Sequence, residues 1–232
     1  MIRAILFDMG GTLDGEVHWL DRFARLYKGF GVDLPWESIR SAFDEAERKC
    51  SLDEAIASSN LVEMVRLHVL WQLEYLGLKD SNLERHLIEG FTAPLRKTVA
   101  ENANLLTKLE QSGFELGVVS NGCGNVEQLC QDFGYTPFLS VIIDSRRVGI
   151  SKPDPAIFLY AANRLGTDPG RILMVGDSFE RDVKPAKEIG MKTGWLEGIP
   201  PRHCPDPSLV DLRLHRIADL PNALSAASLA LA

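Results

Sequence analysis

The chain has 232 residues, 45% of them apolar and 25% charged, with a formal net charge of −7. That is the composition of a folded globular chain, long enough for one large domain or one domain carrying an insertion. An acidic balance without basic clusters argues against a nucleic-acid partner, and no window approaches the ~18 apolar residues of a membrane span.

The first apolar run, 4–7, predicts a buried strand that ends at Asp8 and leads into Met9, Gly10, Gly11 and Thr12. It is too short for a signal peptide. In an open α/β sheet, ligands bind beyond the carboxyl ends of the strands, and glycines let the backbone turn sharply and approach them. Thr12 adds a hydroxyl and a backbone N–H for an anion. An ordinary Asp/Gly turn explains the stretch equally well, and Asp-x-Gly-Gly-Thr also resembles the phosphate loop of actin-like sugar kinases.

From Leu13 the pattern turns helical for some eighty residues. Helices are predicted over 17–27, 36–49, 61–76 and 81–90, with Pro94 closing the block. Four helices without an intervening strand read as a small bundle. A strand/helix alternation then resumes: helix 101–111, strand 114–120, helix 125–133, strand 139–144, helix 154–165, strand 172–176 and helix 181–189. Short strands at 193–196 and 210–214 and a last helix over 221–231 complete the chain. Such alternation implies βαβ units and one Rossmann-like parallel sheet with its strand tips on one edge. The expected organisation is an α/β core of residues 1–13 and 96–232 with a helical cap, 14–95, inserted beyond the first strand tip.

Three later strand tips carry polar groups. One ends in Ser120-Asn121-Gly122, the next leads to Lys152 in a proline-rich turn, and the fourth ends in Gly176-Asp177-Ser178, with Asp182 five residues beyond Asp177. Each has an ordinary explanation as a helix cap or a solvated charge. Asp, Ser, Lys and Asp on four successive tips form a set that those explanations do not cover. Cys50, Cys123, Cys130 and Cys204 form no CxxC pair, which suits idle thiols in a reducing cytoplasm.

FDMGGTLD at 7–14, SNG at 120–122, KPDPAIF at 152–158 and GDSFERD at 176–182 together resemble the haloacid dehalogenase superfamily, most of whose members are phosphatases. The kinase alternative leaves Lys152 and Asp177 without a role. The resemblance implies Mg²⁺ between Asp8, Asp177 and the Gly10 carbonyl, with Asp182 behind it holding metal-bound water. It also implies Asp8 as the nucleophile that becomes an aspartyl-phosphate. Lys152 would neutralise charge, and Ser120, Asn121 and Thr12 would hold phosphate oxygens. The substrate class implied is a small phosphorylated metabolite, handled by a monomer or homodimer in the cytoplasm.

One position departs from the pattern: Gly10 stands where these phosphatases carry an acid/base aspartate. General acid/base help is worth roughly 10² to 10⁴-fold, so a weakened or selective phosphatase is expected. Asp14, Glu16 and His18 are candidate replacement acids, against the simpler reading that they begin a solvated helix. A 2-haloacid dehalogenase, which needs no leaving-group acid, and a non-catalytic binding protein are the competing readings. Trp19, Arg22, Trp36 and Arg66 are candidate pocket residues, Arg146-Arg147 reads as a solvated pair, and PPRHCPDP from Pro200 reads as a rigid surface loop.

Overall fold

The computed structural model describes residues 1–227. Six parallel strands form one sheet in the order β3-β2-β1-β4-β5-β6. They are β1 (Ala4–Phe7), β2 (Glu115–Ser120), β3 (Leu139–Asp144), β4 (Ile172–Gly176), β5 (Lys192–Leu196) and β6 (Leu212–Leu214). The four residues of β1 are all buried. This is why their run is continuously apolar rather than alternating: helices cover both faces of a parallel sheet. The opening strand lies between β2 and β4, in register Phe7↔Val118 on one side and Phe7↔Val175 on the other.

Between β1 and β2 the chain forms α1 (Trp19–Gly29), α2 (Trp36–Leu52), α3 (Leu61–Tyr75) and α4 (Ser81–Gln111). Asn60 and Glu63 close a capping box at the start of α3, which explains its sharp onset. The helix predicted to stop before Pro94 does not stop. α4 runs unbroken through Pro94, joining what read as two helices, and the expected boundary at 95/96 falls inside it. Proline removes one N–H from the ladder, but buried Leu87, Phe91 and Leu95 before and beside it, and Leu105, Leu106 and Leu109 after it, anchor both halves. Tertiary burial outweighs the local penalty here.

Further along lie α5 (Val126–Asp132), α6 (Ser145–Val148), α7 (Ala156–Leu165), α8 (Lys184–Glu188) and α9 (Leu220–Ala226). The helix predicted over 181–189 is shorter, because a wide turn at Phe179–Val183 precedes α8 and turns Asp182 inward. The last part of the predicted final helix, 228–231, lies outside the described residues. No described helix is long and apolar enough to cross a membrane. Among the described residues all four cysteines are buried and free.

Candidate active site

Because β1 sits between β2 and β4, the residues at or just past their carboxyl ends are neighbours: Asp8, Ser120 and Asp177. Lys152 enters from the loop after α6. The Asn121 side chain fixes that loop by donating to the Lys152 carbonyl at 2.8 Å and accepting from its N–H at 2.8 Å. The lysine then buries its ammonium against two carboxylates, 2.6 Å from Asp8 Oδ1 and 2.6 Å from Asp182 Oδ1. The second Asp182 oxygen accepts from the Ser178 N–H at 3.0 Å. Two glycines make room for this cluster. A Cβ on Gly176 would lie 2.4 Å from Asp182 Oδ2, and one on Gly11 (φ 77°) would lie 2.8 Å from Asp177 Oδ2.

Carboxylate oxygens of Asp8, Asp177 and Asp182 all lie within 4.8 Å of one another, and all three residues are buried. Burial, and then the Asp8 charge, push the Asp177 carboxyl up to about 6. Burial also lifts Asp182 to about 7, with Lys152 opposing and the other two carboxylates reinforcing. The Lys152 ammonium is disfavoured by its own burial, yet Asp182 and Asp8 outweigh this and hold it above the ordinary lysine value. Asp177 Oδ1 is buried with no hydrogen-bond partner among the described residues. Crowded carboxylates that resist ionisation, with one orphaned oxygen, have the oxygen-donor chemistry that could hold a hard divalent cation such as Mg²⁺.

A cavity of about 690 Å³ opens over the cluster, between the strand ends and the inserted helices. Asp8, Gly10, Ser120, Asn121 and Lys152 line its floor, and Trp19 and Trp36 belong to its helical wall. Thr12 is fully buried, and its hydroxyl has no partner among the described residues. Of the other candidates for pocket residues, Arg22 lines a separate cleft and Arg66 is exposed on α3.

Three sequence expectations are corrected. The loop from Pro200 is not merely surface: Arg202 Nη2 donates to the Asp177 carbonyl at 2.7 Å and to its Oδ2 at 3.1 Å. Nothing local marks that arginine, which reaches the site only through the folded path of its loop. Arg146 and Arg147 are not a solvated pair. Arg146 donates from one nitrogen to the carbonyls of Asp53 and Cys123, both at 2.9 Å, and from another to Glu54 Oε1 at 2.8 Å. Arg147 donates to the Gly124 carbonyl at 2.6 Å. Together they fasten the segment after α2 to the loop after β2.

Nor do Asp14, Glu16 and His18 open a solvated helix. Asp14 is buried and accepts from the Gly11 N–H, the Trp19 indole and Arg22; burial pushes its carboxyl up against those partners. Glu16 accepts from the Ile217 N–H at 3.0 Å. His18 caps α1 through Nδ1 and lines the cavity, and burial lowers its pKa.

A family model described as haloacid dehalogenase-like hydrolase matches residues 2–190. Glyceraldehyde 3-phosphate phosphatase from Methanocaldococcus jannaschii is 37% identical over 199 residues, covering 83% of this chain and 84% of its own. N-acetylmuramic acid 6-phosphate phosphatase from Pseudomonas aeruginosa is 38% identical over 200 residues, covering 83% of this chain and 80% of its own. Among solved structures, L-2-haloacid dehalogenase from Xanthobacter autotrophicus, 18% identical, superposes with a TM-score of 0.60 over 97% of this chain and 99% of that one. Likeness at that identity speaks for the fold alone and does not choose between phosphoester and carbon–halogen chemistry.

Proposed function

The chain belongs to the haloacid dehalogenase-like hydrolases, and from that premise we propose that it is a Mg²⁺-dependent phosphatase of small phosphorylated metabolites, working through an aspartyl-phosphate on Asp8. The observation that carries the reading is the buried cluster of Asp8, Asp177 and Asp182 bridged by Lys152. In a dehalogenase, two further carboxylates beside the nucleophile are unwelcome like charge.

Asp8, Asp177 and the Gly10 carbonyl would hold the cation, with Asp182 behind them keeping Lys152 in place. When bound, the cation offsets the repulsion between the Asp8 carboxylate and the phosphate dianion. Lys152 neutralises what remains, and its contact with Asp8 aims the nucleophilic oxygen. The Ser120 hydroxyl and the Asn121 backbone N–H bind phosphate oxygens, since the Asn121 side chain is committed to the Lys152 backbone. Thr12 is buried off the cavity and has no phosphate contact in this reading. An Asp8 oxygen bonds to phosphorus as the ester oxygen leaves. Water then attacks phosphorus, releasing phosphate and restoring Asp8.

With glycine at position 10, the departing oxygen takes its proton from water, so poor leaving groups react slowest. The helices inserted between β1 and β2 act as a cap over the site. Trp36, Arg40 and Asp44, four residues apart on α2, line the cavity and give the leaving group its contacts. A screen of sugar phosphates, acyl phosphates and nucleotides, with and without Mg²⁺, tests the reading. Hydrolysis that vanishes with chelator supports it; metal-independent release of halide from 2-haloacids instead overturns it.

A further inference from the structure

Asp14 is 1% exposed, lies in the turn behind the nucleophile, and has no part in the reaction above. Its carboxylate joins two parts of the molecule. Oδ1 accepts from the Gly11 N–H at 2.7 Å and from Arg22 Nη2 at 3.1 Å, while Oδ2 accepts from the Trp19 indole N–H. Gly11 belongs to the turn that carries the nucleophile; Trp19 and Arg22 belong to α1, and Trp19 lines the substrate cavity. Arg22 also gathers the connecting backbone, donating to the carbonyls of Asp14 at 2.8 Å, Gly15 at 3.3 Å and Val17 at 2.8 Å.

The neighbouring carbonyl of Leu13 is held from the core side by Asn102 Nδ2 at 2.8 Å and Tyr135 Oη at 2.9 Å. With that end fixed, the Asp14 side chain is the direct link between α1 and the Gly11 N–H, beside the bonds from Arg22 to the connecting backbone. Gly11 lies directly beneath Asp177, where a Cβ would sit 2.8 Å from its Oδ2, so a shift of Gly11 changes its distance from that carboxylate.

We propose that Asp14 is a positioning residue that couples the seating of α1 over the cavity to the aim of the Asp8 turn. Displacing α1 pulls on Gly11 through one carboxylate and opens the spacing between the Gly10 carbonyl and Asp177. A purely structural Asp14 would instead affect stability and leave the folded molecules equally active.

The inference rests on the phosphatase reading for its kinetic arm. With p-nitrophenyl phosphate and Mg²⁺, Asp14→Asn retains the side-chain size but replaces one acceptor oxygen with a donor. Its kcat per folded molecule should fall about tenfold to a hundredfold with KM nearly unchanged, the loss typical of a small misplacement of reacting groups. Trp19→Phe keeps an aromatic ring beside Phe91 and removes one of the two bonds from α1 to the Asp14 carboxylate, leaving that of Arg22; it should give a smaller fall of the same kind. Equal kcat per folded molecule in Asp14→Asn overturns the proposal.

A second arm is independent of turnover: amide hydrogen exchange of the peptide covering residues 8–13, in parent and Trp19→Phe. Coupling makes that peptide exchange faster in the variant while the strands stay protected. Unchanged exchange there overturns the coupling even in a chain that hydrolyses no phosphoester. A parent without turnover but with the faster exchange in Trp19→Phe overturns only the phosphatase reading.

Discussion

Gly10→Asp supplies a carboxyl where the proposed reaction lacks an acid and base, and the structure makes it an unusually clean perturbation. The backbone at Gly10 has φ −72° and ψ 122°, ordinary for any residue. A Cβ added there meets nothing within 4 Å, and the position opens on the cavity. Neither strain nor a clash therefore confounds the readout, and the change in rate reports chemistry. General acid/base help is worth roughly 10² to 10⁴-fold, or about 3–5 kcal/mol of barrier. The lower end is expected, because the new side chain has no shaped support. The assay is kcat/KM, at saturating Mg²⁺, across alkyl, sugar and p-nitrophenyl phosphates. The gain should be near a hundredfold for alkyl esters and small for p-nitrophenyl phosphate, whose leaving group departs unprotonated. Identical, unchanged rates for both classes with Mg²⁺ still bound would refute the missing-acid argument.

Lys152→Met leaves Asp8 and Asp182 buried without their cation and should cost about 3–5 kcal/mol in urea unfolding without metal; a loss under ~1 kcal/mol would contradict the pairing. Asp177 and Asp182 titrate near 6 and 7 in the fold against a reference of 3.8, so they bind protons more tightly folded than unfolded. On their account the metal-free protein loses stability as pH rises from about 4 to about 7, and the Tm gain on adding Mg²⁺ should be larger at about pH 7.5 than at about pH 5. An equal or smaller gain at the higher pH would contradict the site. Arg146→Met cuts three bonds between the segment after α2 and the loop after β2. It should cost about 2 kcal/mol, lowering Tm by roughly 4–8 °C; an unchanged Tm would show that the fastening lies elsewhere.

The sheet is most readable where a strand is a short apolar run whose burial on both faces leaves a continuous signature, as in 4–7 and 172–176. The strand-tip residues were readable for a related reason. Asp8, Lys152 and Asp177 sit in local patterns, glycine turns and a proline-stiffened loop, that chemistry at a sheet edge requires. What escaped is long-range. Arg202 becomes part of the site only because its loop brings it to Asp177, and Arg146 acquires its role from a segment more than ninety residues earlier. Asp14 reads as the start of a solvated helix because nothing local marks its burial, which comes with the Trp19 and Arg22 side chains of α1 that donate to it. Pro94 misled in the opposite direction, since a local helix breaker is tolerated where both flanks are buried. At Asn121 the residue was legible but not its side-chain work, which goes to the Lys152 backbone.

The most direct measurement of the central claim is acid quench of a reaction in progress, followed by peptide mapping. Phosphoryl transfer to Asp8 predicts a base-labile phosphoryl group on the peptide containing Asp8, formed only with Mg²⁺ and absent in Asp8→Asn. Turnover of the same substrate with that peptide unmodified throughout, or with the phosphoryl group on another residue, would contradict the account.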